Sequence, residues 1–371
     1  MKKPLLSAFL LTFLLLPAAF AGPAIAAATA TAPGDATARL HDLFQREWEL
    51  RLKEDPLEAT SVGRHEYDAL LPSTTFAELQ RENGEAKAFR GELAAIDRSR
   101  LSADDQVNYD IFQRQLDNRI ADFELGDYQM PFNADSGFHT GFSRLPEDVP
   151  LATVKDYENY MSRLRAWPRY VREQIELMRM GLKRGMSVPR ETLVGYDKSI
   201  STHVVDDAAQ SVFWVPFTKF PSTVPAGERE RLSREGRTAV MEGAVAGYRE
   251  FLDFYRKEYA PQARATLAAA DLPDGRAYYR QQIRRYTTLD LSPEEIHKIG
   301  LGEVERISRE MNEVMRQVGF KGDFAAFLKF LREDPQFYAR TPRELLEKAS
   351  FLAKKIDGML PSEFRTLPRL P

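Results

Sequence analysis

From Ile296 onward, apolar residues recur in steps of three and four, at Ile296, Ile299, Val304, Ile307, Met311, Val314, Met315 and Val318. Lys298, Glu305, Arg309, Glu313 and Arg316 fall mostly elsewhere on the helical wheel, so the spacing predicts an amphipathic helix with one apolar stripe. Ser292-Pro293-Glu294-Glu295 supplies its start: Ser is placed to cap, Pro suits the first helical position, and Glu295 can close a capping box. Gly319 supplies the stop. At 1.5 Å per residue this helix is expected to be roughly 40 Å long.

The same signals recur along the chain. Ser102 and Asp105 precede Val107, Ile111, Leu116, Ile120 and Phe123, and Thr153 to Asp156 open a stretch with Tyr157, Tyr160, Met161 and Leu164. Pro168 is expected to restart a helix carrying Val171, Ile175, Met178 and Leu182, ending at Gly185. Residues 227–259 hold Leu232, Val240, Tyr248, Leu252 and Tyr255, and Thr341-Pro342 opens a segment with Leu345, Ala349, Leu352 and Ile356, stopped by Gly358. Period-two alternation is scarce. The best β-type segment, Ser211 to Phe220, reads as a strand or a buried loop. With no internal repeat, the pattern predicts a predominantly α, non-repeating fold of long helices.

The amino terminus follows a different logic. Lys2 and Lys3 precede an apolar run from Leu5 to Phe20, and small residues follow through Ala28. That is the order of a secretory signal peptide, with Ala24-Ile25-Ala26 as the cleavage site and Ala19-Phe20-Ala21 as a second candidate. The run contains Pro17 and is shorter than the ~20 apolar residues that cross a bilayer, which favours cleavage over a membrane anchor. Residues 1–26 are expected to be the signal peptide, 27–36 a flexible leader, and 37–371 the helical portion. The expected location is the periplasm or the exterior, without a membrane attachment after cleavage.

Composition narrows the chemistry. The 371 residues carry 52 basic and 55 acidic side chains, a net charge of −3, which gives no basic surplus to attract nucleic acid. There is no cysteine, so thiolate nucleophiles, disulfides, a lipoprotein cysteine and Cys-based metal sites are all excluded. Any metal site would draw on five histidines, His41, His65, His139, His203 and His297, together with carboxylates. A zinc hydrolase commonly pairs two His at i and i+4, because one helical turn aims both rings at one ion. None of the five does so: Gln45, Ala69, Ser143, Asp207 and Leu301 stand at those positions. A G-x-S-x-G nucleophile and a phosphate loop are also absent. Carboxylate pairs for acid–base hydrolysis are too numerous to single one out.

Two segments stand out as candidate binding elements. Residues 126–150 gather Tyr128, Asn133, Asp135, His139 and Arg144 without a periodic apolar pattern, as a surface connection or a binding loop would. Arg284-Arg285-Tyr286 offers paired guanidinium groups and an aromatic ring, suited to a peptide carboxylate or equally to a solvated helix end. Asn133, His139, Arg285 and Tyr286 are therefore the candidate substrate-binding residues, with no catalytic or metal-binding residue assigned.

Several pieces in order resemble the bacterial family catalogued as domain of unknown function 885. They are Asp55-Pro56-Leu57-Glu58-Ala59-Thr60 with Gly63, Asp156-Tyr157-Glu158-Asn159-Tyr160 with Arg163-Leu164, and Glu258-Tyr259 with Ala263-Arg264. Leu272-Pro273-Asp274-Gly275 follows, with Tyr278-Tyr279, Tyr286-Thr287-Thr288 and Leu291-Ser292-Pro293-Glu294-Glu295-Ile296-His297. The resemblance implies a long-helix, zincin-like peptidase scaffold, and for full-length members a zinc site built from H-E-x-x-H and a downstream acid. The chain reaches Leu367-Pro368-Arg369-Leu370-Pro371 without that motif. The expectation is therefore the N-terminal, substrate-cleft portion of an exported zinc-peptidase-like protein. It would stop short of the metal-binding helix and be inactive alone, with a peptide as substrate and a missing C-terminal half as partner. The alternative is a stand-alone helical periplasmic protein that binds peptides or acts as a scaffold.

Overall fold

The structure, a computed structural model, describes residues 33–367. The expected signal peptide lies outside them, as do residues 27–32 of the expected leader. The first helix, α1 (Pro33–Glu54), already includes the end of that leader stretch. The chain divides into two compact units, the first ending at Gln281 and the second beginning at Gln282.

In the first unit, α1 is followed by α2 (Pro56–Ser61), α3 (Phe76–Ala94) and α4 (Ala103–Leu125). Side-chain caps set their starts: Asp55 accepts from the backbone of Leu57 and Glu58, Thr75 from Glu78, and Ser102 from Asp105. Their apolar faces close one core, with Leu40 and Leu43 of α1, Phe89 and Leu93 of α3, and Phe112 and Leu116 of α4.

The second core surrounds α5 (Val154–Arg184), which starts where Thr153 to Asp156 predict and is closed by a Thr153/Asp156 capping box. Contrary to the sequence expectation, Pro168 does not separate two helices; α5 runs through it. Proline has no N–H for the carbonyl four residues back, here that of Leu164. The neighbouring helix accommodates that carbonyl. α6 (Ala226–Thr238) passes through π-helical turns at Ala239–Val245 into α7 (Ala246–Phe254). A methyl group placed on Gly243 would lie 2.2 Å from the Leu164 oxygen, and one on Gly247 would lie 2.4 Å from the Trp167 ring. Glycine at these two positions lets the backbones approach, and Trp167, Tyr248 and Phe251 fill the remaining space. Each such buried side chain contributes about 1.5–3 kcal/mol. The segment Ser211 to Phe220 is neither strand nor loop. It contains a 3₁₀ helix, Val212–Phe217, in which Ser211 accepts from Phe213 N–H and both phenylalanines are buried.

The second unit takes up the end of α8 (Gly275–Thr287), then α9 (Pro293–Gln317), α10 (Phe324–Glu333) and α11 (Pro342–Glu363). The Ser292/Glu295 capping box forms as the sequence predicts, and Gly319 takes a positive φ beyond α9. α11 does not stop at Gly358 but continues to Glu363. A small aromatic cluster, Phe320, Phe327, Phe330 and Phe337, packs around α10. The apolar stripes of α9 and α11 remain largely uncovered: Val304 is 65% exposed, Leu346 67% and Phe351 69%. Among the described residues there is no strand, only one isolated bridge between Phe132 and Gly137, and no helix long and apolar enough to cross a membrane.

Candidate functional site

The most tightly built polar arrangement in the first unit joins two of the segments singled out in the sequence. Asp55 caps α2 and Pro56 opens it, which fixes the short helix so that Thr60 and the Pro56 carbonyl face α5. Arg163 of α5, only 1% exposed, donates from Nε to the Leu70 carbonyl at 2.9 Å. Its Nη2 donates to the Pro56 carbonyl at 2.9 Å and to Thr60 Oγ1 at 2.7 Å. Thr60 Oγ1 in turn donates to Asp68 Oδ1 at 2.6 Å, and Asp68 Oδ2 lies 2.9 Å from His65 Nδ1. Burial brings the Arg163 guanidinium down to about 10, against the opposing pull of Asp68 and Asp55.

A groove opens between α1, α2, α3 and α4. Its volume is about 450 Å³, and Glu47, Glu54, Glu58, Glu82, Arg51 and Arg119 contribute charged groups to its walls. Glu54 sits between two arginines, accepting from Arg81 Nη2 at 2.7 Å and Arg119 Nη2 at 2.6 Å. Burial, reinforced by the nearby Glu54 charge, pushes the Glu82 carboxyl up to about 7, and burial raises Glu47 as well. The charge of the groove therefore changes near neutral pH. An adjoining cavity of about 490 Å³ is lined by Phe44, Trp48, Ile111 and Phe112, with the Arg51 guanidinium 4.7 Å from the Trp48 ring. The groove thus presents mainly carboxylates and the adjoining cavity mainly aromatic rings, with Glu47, Arg51 and Phe112 common to both.

The four candidates named from sequence do different work. Asn133 is exposed and ties a turn, its Oδ1 accepting from the backbone N–H of Asp135 and Ser136, both at 2.8 Å. His139 is fully buried on the short helix Phe138–Phe142, among Phe132, Tyr196 and Phe251. Its Nε2 lies 3.0 Å from Ser199 Oγ, and burial lowers its imidazole to about 4. This ring is a neutral core group. Residues 126–150 are correspondingly not one irregular loop but short helical turns that bury Phe132, His139, Phe142 and Leu145. Arg285 and Tyr286 belong to the second unit, at the end of α8, where both are exposed and Tyr286 is 81% open to solvent.

Nothing in the sequence singles out Glu47, Glu54, Glu82 and Arg119, because each falls on what reads as the polar side of an ordinary helix. Their shared feature, a carboxylate or guanidinium turned toward neighbouring helices, emerges only when α1, α3 and α4 pack. Among the described residues, no three His, Asp or Glu side chains converge into a group that could hold a metal ion.

The family model described as "Bacterial protein of unknown function (DUF885)" matches residues 56–371. A candidate lipoprotein from Colwellia psychrerythraea, known from its crystal structure, is similar with a TM-score of 0.80 at 21% identity, over 91% of this chain and 61% of its own. The present chain thus spans about three fifths of that protein, and at this identity the likeness concerns the fold. No curated protein matches the chain.

Proposed function

The chain belongs to the DUF885 family of bacterial proteins, and from that membership we propose that it forms the N-terminal, substrate-cleft part of an exported zinc-peptidase-like protein. The observation that carries the reading is the uncovered apolar surface of α9 and α11. Along α11, Leu345, Leu346, Phe351, Leu352, Ile356 and Met359 are all more exposed than buried. A helix of this length is marginal by itself in water and gains its stability by burying its apolar face. Apolar surface on this scale marks an interaction site.

The partial span of the Colwellia psychrerythraea protein fits the same reading: there, the shared fold is accompanied by further chain. The groove of the first unit supplies the cleft, and the further chain would supply the metal-binding residues. Export is supported by the basic, apolar, small-residue order of the first residues and by the description of the neighbour as a candidate lipoprotein.

The test is peptide hydrolysis. The chain is compared with an extended version carrying the portions of the Colwellia psychrerythraea protein that it does not span. Zinc-dependent cleavage by the extended protein and none by the chain alone is the expected result. Zinc-dependent turnover by the chain alone, or none by either protein, would contradict the reading. A second reading, a stand-alone helical peptide-binding protein, draws on the closed double core of the first unit, which needs no further chain to bury it. It predicts that the chain alone is monomeric and binds lysine-rich peptides without cleaving them.

A further inference from the structure

Arg163 has a property that its role in joining α2 to α5 does not use. Buried charges in proteins are normally paired, because an unpaired ion away from water is costly. Yet every hydrogen bond of Arg163 goes to a neutral oxygen: the carbonyls of Pro56, Tyr67 and Leu70, and Thr60 Oγ1. Asp68 reaches it only through the Thr60 hydroxyl. All of these bonds use Nε and Nη2, so Nη1 is not engaged by them.

Beside this residue lies a cavity of about 460 Å³. Arg163 and Thr60 form part of its wall, and Leu57, Phe142, Leu145 and Val149 give it an apolar lining. Asp148, the acidic residue of the lining, is half-exposed and has Arg144 3.6 Å away as its counter-charge. Gly141 also faces the cavity, and a methyl group placed on it would meet nothing within 4 Å.

We infer that this cavity is a binding site for a carboxylate on a short aliphatic stem. The anion would pair with the Arg163 guanidinium, and the stem would lie against Leu57, Phe142, Leu145 and Val149. The volume is in the range of small-molecule sites, and a charge-assisted bond to a buried guanidinium is stronger than one in water. A free small acid and the carboxyl terminus of a peptide share this chemistry.

Isothermal titration of the full chain with N-acetylleucine and with N-acetylleucine amide tests the inference. The expected result is saturable one-to-one binding of the acid, with the amide at least tenfold weaker. A tetrapeptide ending in leucine, with a free or an amidated terminus, distinguishes the two sources. Binding of the free-terminus peptide assigns the site to peptide ends, and its exclusion assigns the site to small acids. Gly141→Leu places a side chain in the cavity while leaving Arg163 and its partners in place, and is expected to abolish binding with the helical circular dichroism retained. No saturable binding of the acid, equal binding of acid and amide, or unchanged binding in Gly141→Leu would overturn the site. The acid–amide comparison on the unmodified chain decides the matter even if the variant fails to fold.

Discussion

Arg163 ties α2 and the turn that follows it to the middle of α5, and its removal takes a charged donor from the Pro56, Tyr67 and Leu70 carbonyls and from the Thr60 hydroxyl. Arg163→Met is predicted to lower stability by about 3 kcal/mol or more, read as a shift in the urea midpoint. A loss below ~1 kcal/mol would show that the bonds contribute little. His139 gives a prediction with a sign. Burial holds its folded-state imidazole at about 4, below the ordinary value of 6.5. The unfolded chain takes up a proton near the ordinary value and the folded chain does so only later. Stability is therefore full above that value and falls as pH drops from it toward about 4. The loss is about 3 kcal/mol by linkage, and His139→Gln is predicted to flatten that part of the urea-midpoint profile. An identical profile in the variant would place the pH dependence elsewhere. The segments Asp55 to Thr60 and Arg163-Leu164 stand out in the sequence, but nothing in either says that they touch. That contact depends on how α2 and α5 pack, just as the burial of His139, a candidate substrate-binding residue in the sequence, depends on Phe132, Tyr196 and Phe251 closing around it.

Helix starts were legible because a cap is a local matter. Ser102, Thr153, Ser292 and Thr341 each accept from a backbone N–H three residues on, with no help from the rest of the fold. Helix interruptions were less legible, because a neighbour can compensate for a break. Pro168 remains inside α5 where Gly243 allows the π-turned segment to lie against the Leu164 carbonyl. Two glycine substitutions separate that packing role from ordinary helix propensity. Gly243→Ala is predicted to destabilise by about 3 kcal/mol, because its methyl meets backbone that cannot move aside. Gly91→Ala, in α3 with open space around it, is predicted to stabilise by about 0.5–1 kcal/mol. Thermal unfolding of the two variants checks both signs. Equal effects would remove the argument for a close approach at Gly243.

Across the whole chain, the same amphipathic pattern has two outcomes. In the first unit, the stripes predicted from spacing on α5 and over residues 227–259 become a closed core, while of the α4 stripe only Leu116 is buried and Val107 and Ile111 are exposed. In the second unit the stripes on α9 and α11 stay largely open. Periodicity identifies which face of a helix is apolar; it does not identify what covers that face, so this difference could not be read from sequence. The acidic groove was hidden for a related reason, since its carboxylates meet only when the successive helices α1, α2 and α3 pack together. The proposal that this chain is one part of a larger fold completed on α9 and α11 is tested most directly by hydrogen exchange. Backbone amides of α9 and α11 are measured in the chain alone and in the version extended with the unshared portions of the Colwellia psychrerythraea protein. Fast exchange is expected in the chain alone, and slowing by at least tenfold on extension, with the first unit's helices unchanged. Strong protection of α9 and α11 in the monomeric chain, or no slowing on extension, would contradict it.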